Sequence, residues 1–568
     1  MPPDATAPII ARVLAEIDAL GRAGRAQDME RLCRRLLAEY PQCADGWNRL
    51  AIHLSGRGSE LQAVVCLERA IAAAPREPSY RANLGEILRR AGLADQALAH
   101  CRRAIELDPE HVVANLNLGC ALMDAGDAAA AQAHFARVTA REPGNAQGWF
   151  GLGRAQFALG QIAHSAQALA RAVTLAPGDA AARVTLARAR LWQDDFAEAL
   201  AQARGAAGLV PGHPEATAAM ADVYMQWGDF VAAEQVLREA LRALPGVIPF
   251  TYRLALCRLA QGDYREGFAL YESRVLLEAN NRIQVPILPM PLWEGQDLRG
   301  KRLLVLTEQG FGDHIQFCRF ASRLADAGAT VEFAVSPELR AVTHTLPGVT
   351  RVYTMADQGR FSGCDYWTLV GSLPYRLGVD ATQVAASAPY LVADPQRRAH
   401  WRARLAELPG RLRIGLVWGG RPTHENDHRR SLPFAALTPL AQVGAPGEIA
   451  WISLQQGPRA AEASAGPLRL ALLGESFESF ADVAALMAEL DLVISVDSAP
   501  VHLAGALGVP VWVLLPRVAD WRWALGEGDT PWYASMRLFR QGARGDWAGV
   551  ARAVARALDQ WRGGAART

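Results

Sequence analysis

The sequence predicts an α solenoid of helix–turn–helix repeats followed by an α/β region of two parallel-sheet lobes. Three observations predict this. Pro41, Pro75, Pro109, Pro143, Pro177, Pro211 and Pro245 recur every 34 residues, the period of a two-helix repeat. The recurrence stops before residue 280. Beyond it, short apolar runs alternate with amphipathic stretches, which is the pattern of βα units.

Within each repeat, Gly24, Gly58, Gly92, Gly126, Gly160, Gly228 and Gly262 sit where one helix must turn into the next, and Asp194 fills the missing slot. The proline closes the second helix because it cannot continue one. Small residues at Ala51, Gly85, Gly119, Gly153, Ala187, Ala221 and Ala255 allow close helix approach. The pattern resembles the tetratricopeptide consensus, with about eight units over residues 10–281 and atypical ends. Such a stack curves into a groove that holds polypeptide. Asn83 and Asn117 share one repeat position and are candidate acceptor contacts, a short version of the asparagine ladder in the eukaryotic protein O-GlcNAc transferase that the array resembles. Solvated polar positions on an inner helix are the alternative.

Residues 282–298 are proline-rich and read as a linker. Then come a strand at 302–307, a glycine turn, a helix through Ala327 and a strand at 330–336. A second series has strands at 413–418, 449–454, 492–495 and 511–515, a loop at 419–431 and a helix at 480–489. The resulting division is a solenoid at 1–281, a first lobe at 299–395, an interlobe linker at 396–410, and a second lobe at 411–568 ending in a helix. Ligands of such sheets bind at the carboxyl ends of the strands. The apolar run 498–516 is divided by Pro500, Pro510 and Pro516 into loop, short helix and strand, so it is not read as a membrane span.

The chain has 568 residues, 51% of them hydrophobic and 21% charged, and a net charge of +1. It is long enough for several cores, and its charge argues against nucleic acid as the main partner. Lys301 is the sole lysine among 59 basic residues, so phosphate must be met by arginine, backbone amides or helix ends. The eight cysteines form no C-x-x-C pair and read as buried thiols of a reducing compartment. No basic, then apolar, leader opens the chain, and a cytoplasmic location is expected.

Two motifs carry the chemistry: Glu308-Gln309-Gly310-Phe311-Gly312-Asp313, and the run from Val496 to Gly508 that contains Asp497-Ser498-Ala499-Pro500-Val501-His502. Through them, residues 299–562 resemble the glycosyltransferase B fold, in particular the ADP-heptose:lipopolysaccharide heptosyltransferases. Joined to the repeats, this half resembles bacterial flagellin glycosyltransferases, cytoplasmic enzymes that modify flagellin serine or threonine. The resemblance implies a general base at Asp313 and counts Gly310 and Gly312 of its turn among the donor-binding residues. It also implies donor contacts from Asp497, Ser498, Ala499 and His502 at a strand-to-helix junction whose amides face phosphate. Asp313 and the Asp-Ser pair are equally good helix caps. The family's phosphate-neutralising lysine is missing, and Arg429 or Arg430 is the expected substitute.

His424-Glu425-Asn426-Asp427-His428 spells a zinc-protease pattern, but it lies between turn-forming segments, and no third ligand is evident. No Asp-x-Asp occurs. The expectation is no metal and no cofactor, only a nucleotide sugar as co-substrate. Trp521, Trp523, Trp532 and Tyr533 are read as core packing, with stacking on a base or sugar as the alternative. The functional expectation is a metal-independent, inverting glycosyltransferase that moves a sugar to a protein Ser/Thr hydroxyl. Its partners would be the donor and a protein acceptor held by the repeats, flagellin first. A catalytically inactive scaffold and a sugar-nucleotide epimerase remain open.

Overall fold

The computed structural model describes residues 6–277 and 286–565, apart from 309, 355, 358–360, 362, 385–388, 425, 527 and 529, and apart from the side chains of 475 and 563–565. Gln309 and Glu425, named in the motifs above, lie outside the described residues. The chain divides into two compact units, Met1–Val223 and Tyr224–Thr568.

The first unit consists of paired helices such as Pro78–Arg90 with Ala94–Leu107 and Ala146–Ala158 with Ile162–Leu175. The repeat residues have the roles their chemistry suggests. Gly58, Gly92, Gly126 and Gly160 turn with φ of +77°, +78°, +82° and +73°, and Asp194 adopts +57° in the same slot, a left-handed conformation that aspartate tolerates better than most residues. A Cβ on Gly85 would lie 2.3 Å from the Cys101 sulfur, and one on Gly119 2.7 Å from the Phe135 ring. Only glycine lets these helices touch there. The prolines also accept hydrogen bonds on their carbonyls: Trp47 Nε1 donates to Pro41 at 2.8 Å, Asn115 Nδ2 to Pro109 at 2.8 Å, Trp149 Nε1 to Pro143 at 2.9 Å and Arg183 Nε to Pro177 at 3.0 Å. In these four repeats one helix position thus fastens the inner helix to the end of the previous repeat.

The second unit begins inside the repeat array. It holds the helices Phe230–Ala243, Ile248–Ala260 and Tyr264–Tyr271, followed by both sheets. The strands are β1 Arg302–Leu306, β2 Thr330–Val335, β3 Val349–Thr354, β4 Tyr366–Leu369, β5 Leu412–Val417, β6 Ile449–Ser453, β7 Leu470–Leu472, β8 Leu492–Val496, β9 Val511–Leu515 and β10 Met536–Arg540. They form a four-stranded sheet, β3-β2-β1-β4, and a six-stranded sheet, β10-β9-β8-β5-β6-β7. Every pairing is parallel. Central strands β8 and β9 are buried along their whole length, as expected of sheets covered on both faces.

Two segments read as linkers are packed structure. Residues 286–298 cover the open edge of β4: Leu292 bridges Trp367 in parallel, Trp293 N–H donates to the Trp367 carbonyl at 2.8 Å, and Trp293 is 4% exposed. Residues 396–410 begin as the helix Pro395–Ala406, capped by Asp394 and anchored by buried Trp401. The chain crosses between lobes just before it, where Tyr390 and Leu391 N–H groups both donate to the Ala506 carbonyl. The helix expected through Ala327 is broken into Phe311–Phe317, a tight turn Cys318–Phe320, and Ala321–Asp326. Among the described residues, no helix is long and apolar enough to cross a membrane.

Candidate active site

Strand β1 ends at Leu306, and the chain turns through Gly310 into the helix Phe311–Phe317. Gly310, not Asp313, occupies the cap position, and it makes no side-chain cap bond. Asp313 stands in the first turn with its carboxylate folded back so that a Cβ on Gly310 would lie 2.0 Å from Oδ2. The capping alternative for Asp313 is thereby removed. Its Oδ1 accepts instead from Arg522 Nη2 of the second lobe, and its side chain remains 38% exposed. Burial in the cleft raises the Asp313 pKa while Arg522 draws it down; Glu308 and Asp520 raise it further. Exposure of more than a third of the side chain moderates the burial effect.

Gly312 serves a different purpose. A Cβ there would come within 3.1 Å of His502 Cδ2, so the glycine permits the first-lobe helix to lie against the helix Ala499–Ala506 of the second lobe. His502 is 4% exposed, its Nδ1 is 3.0 Å from the Tyr533 hydroxyl, and its ring stacks on Trp523 at 5.4 Å. Burial holds its pKa well below the ordinary range, with Arg522 and Arg319 adding to the effect. It is therefore a neutral imidazole in the lobe interface.

Strand β8 delivers Asp497 and Ser498 to the start of that helix. Ser498 is the cap residue, yet it makes no cap hydrogen bond; its Oγ donates to the Val496 carbonyl at 3.1 Å. Ser498 thus takes the cap position by its backbone, and its hydroxyl is turned to Val496. Ala499 opens the helix. The Asp497 pKa is raised to about 6 by burial first and Asp520 second, against the pull of Arg430 and Arg522. A carboxylate poised this way is a common property of functional sites.

The two candidate phosphate arginines diverge. Arg430 is 14% exposed and lies against Asp427 and the Gly420 backbone, where its charge reaches Asp497. Arg429 instead donates to Gln226 Oε1 at 3.3 Å, at the end of the repeat helix Pro214–Trp227. The helix Asp427–Arg430 starts after His424, so the two imidazoles of the zinc-like pattern do not share a helical turn. Among the described residues, no group of three or more His, Cys, Asp or Glu side chains is arranged to hold a metal ion.

Asn83 and Asn117 join neighbouring repeats. Asn83 Nδ2 donates to Asn48 Oδ1 at 2.9 Å, and Asn117 Nδ2 donates to the Ala82 carbonyl at 3.0 Å with only 8% of the residue exposed. The C-terminal aromatics are packing residues: Trp521, Trp523, Trp532 and Tyr533 are 5%, 0%, 1% and 3% exposed. All eight cysteines are free, and seven are buried.

The residues most absent from the sequence reading are Arg522, Asp520 and Gln316. Arg522 Nε donates to Gln316 Oε1 at 2.6 Å and Nη1 to Asp520 Oδ1 at 2.8 Å, and its guanidinium lies 4.4 Å from the centre of the Trp521 ring. The single available signal was Asp520-Trp521-Arg522-Trp523, where an arginine interrupts an aromatic run. Two cavities of about 400 and 420 Å³ lie elsewhere, and neither is lined by Asp313, Asp497 or Arg522. The convergence of charge, not cavity size, marks this site.

The last repeat is built into the same unit. Arg274, 2% exposed, pairs through Nη2 and Nε with Glu308 at 2.7 and 2.9 Å and donates to Ser372 Oγ at 2.9 Å. Phe268 packs edge-on against Phe317, Trp521 and Trp532 at 6.2, 5.8 and 6.4 Å. Tyr252 and Tyr271 stack at 5.9 Å, close enough to the centre for the charges of Asp313 and Arg522 to act on both.

Comparison with known proteins bears on both halves. Tetratricopeptide-repeat profiles match residues 61–112, 116–180 and 193–246. The glycosyltransferase family 9 (heptosyltransferase) profile matches residues 459–516, which bracket Asp497, Ser498, Ala499 and His502. Protein FlbA of Caulobacter vibrioides is 33% identical over 324 residues, 53% of each chain. The chain thus spans about half the length of this curated relative. Solved structures with some likeness include the APC/C heterotetramer Cut9–Hcn1 (TM-score 0.39, 16% identity, 47% of this chain and 53% of that one). Another is Pseudomonas aeruginosa PilF (TM-score 0.33, 16% identity, 36% and 94%). A third is YrrB, described as a repeat protein with an unusual peptide-binding site (TM-score 0.29, 22% identity, 33% and 96%). The chain therefore carries tetratricopeptide repeats joined to a glycosyltransferase family 9 (heptosyltransferase) domain.

Proposed function

We propose that the protein is an inverting glycosyltransferase of the two-lobed B type that moves a sugar from a nucleotide donor to a protein Ser/Thr hydroxyl. The observation that carries this reading is that Asp313 of one lobe pairs with Arg522 of the other, while Gly312 beside it lies against His502 and the charge of Arg522 also reaches Asp497. In this reading the acceptor hydroxyl approaches Asp313, which takes its proton as the oxygen attacks the anomeric carbon. The leaving phosphate departs toward the start of the helix Ala499–Ala506, where backbone amides and the helix dipole favour negative charge. Arg430, whose charge reaches Asp497, would add positive charge. The general-base step is worth about 10²- to 10⁴-fold in rate.

The repeats would hold the protein acceptor, and flagellin is the first candidate on the strength of the resemblance. The test is incubation of the full chain with a panel of nucleotide sugars and candidate acceptors, with nucleotide release and acceptor mass as readouts. Transfer that falls about 10²-fold or more in Asp313→Asn supports the reading. Donor binding without a change in acceptor mass for any pair would refute it.

A further inference from the structure

Arg522 reaches across the cleft and is held at every polar end. Its Nη2 meets Asp313 Oδ1, and its Nε meets Gln316 Oε1 three residues further along the same first-lobe helix. Its Nη1 returns to Asp520 of its own turn, whose carboxylate also accepts from the Arg522 backbone N–H at 3.0 Å. Trp521 lies against its guanidinium. The backbone that presents it is strained: Ala524, which closes the turn Trp521–Trp523, has φ +52° and ψ −176°, a region populated almost only by glycine. Arg540 Nη2 pins that turn by donating to the Trp523 and Ala524 carbonyls, both at 3.0 Å. Strain kept in place by a second arginine is the mark of a side chain that must point one way.

Resting on the transferase reading above, we propose that Arg522 is the positioning residue for Asp313, aiming the base of one lobe from the turn of the other. Two points on one helix, Asp313 and Gln316, fix both the rotation of the carboxylate and the distance between lobes. The groups facing Asp313 are Arg522 and Asp520 from this turn, Glu308 from the end of β1 and Arg274 from beyond the last repeat, with Tyr252 and Tyr271 nearby. Arg274 is occupied by Glu308, and Arg522 is the cation that acts most strongly on the base.

The test uses full-length wild type, Asp313→Asn, Arg522→Gln, Arg522→Lys and the double variant Asp313→Asn/Arg522→Gln. Nucleotide release is followed from pH 5 to 9 with whichever panel sugar nucleotide the wild type turns over. Arg522→Gln should lower kcat by about 10- to 10²-fold with little change in donor KM and move the acid limb of the profile to higher pH, because the carboxyl loses the cation that favours its ionised form. Arg522→Lys should recover part of both effects, and the double variant should be no slower than Asp313→Asn alone. Losses that multiply in the double variant, or an acid limb that stays in place in Arg522→Gln, would overturn the proposal. The function reading fails separately, if wild type releases nucleotide from no donor or if Asp313→Asn is as fast as wild type. In either event the positioning role is read from the ¹³Cγ-aspartate spectrum of wild type minus Asp313→Asn. An Asp313 transition that moves up in Arg522→Gln supports the proposal, and an unmoved one overturns it.

Discussion

Phe268→Ala should destabilise the α/β region although Phe268 belongs to the last repeat. The ring is 1% exposed and lies 5.8 Å from Tyr264 as well as against Phe317, Trp521 and Trp532. Truncating a buried phenylalanine to alanine costs about 3–5 kcal/mol, and partial collapse of the aromatic cluster sets where in that range it falls. The unit Tyr224–Thr568 is roughly 345 residues, so at about 2.1 cal/mol/K per residue its unfolding entropy is about 0.7 kcal/mol/K. The melting temperature should therefore drop by about 4–7 °C. Scanning calorimetry of the full chain measures this, with Phe135→Ala as a control because Phe135 is equally buried but lies in the other unit. Phe268→Ala should lower the same transition that variants of buried β8 and β9 residues lower, and Phe135→Ala should not. If Phe268→Ala left that transition in place, or lowered only the one that follows Phe135→Ala, the last repeat would not be an integral part of the second unit.

Three further outcomes follow from the site. Asp497 has a folded pKa near 6, above its ordinary 3.8, so the folded state binds more protons between those values and stability falls as pH rises through that window; Asp497→Asn should flatten the fall in an acid-to-neutral melting series, raise the melting temperature at pH 7, and weaken nucleotide-sugar binding by calorimetry. Ala524→Gly should relieve backbone strain and raise stability by about 1–2 kcal/mol in denaturant unfolding, while slowing turnover because the turn that presents Arg522 is loosened. Gly312→Ala should gain helix propensity of about 1 kcal/mol but press its methyl against His502, at a cost of about 1–3 kcal/mol; a modest net loss of stability with a disproportionate loss of turnover is expected, and unchanged kinetics would show that the helix contact between lobes is dispensable.

The periodic half of the chain was legible because local chemistry repeats. At the repeat positions proline follows a helix end and glycine turns the chain, so seven prolines and seven glycines sufficed to place the turns, and Asp194, read as filling the missing glycine slot, takes the same left-handed conformation. Strands β1, β2, β5, β6, β8 and β9 were legible for a similar reason, since a buried parallel strand is a short apolar run whatever its neighbours. The edge strands β3 and β10 escaped because they carry mixed residues such as Arg351, Arg537 and Arg540, and the edge strands β4 and β7 because they are only four and three residues long. The helix Pro395–Ala406 was missed for its arginine-rich sequence, which hides the burial of Trp401.

The site divides the same way. Asp313, Asp497, Ser498 and His502 were named as candidates from their motifs, but what each one touches was decided by tertiary structure. His502 is a lobe-interface imidazole held by Tyr533, and Gly312 is small because that imidazole is there. Arg429 and Arg430 are adjacent in sequence yet turn to different partners. Arg522 stands 209 residues from Asp313 and meets it only through the tertiary fold. A side chain whose partner lies on another lobe leaves no periodic or local trace, because the energy that fixes it comes from packing and charge across the chain rather than along it.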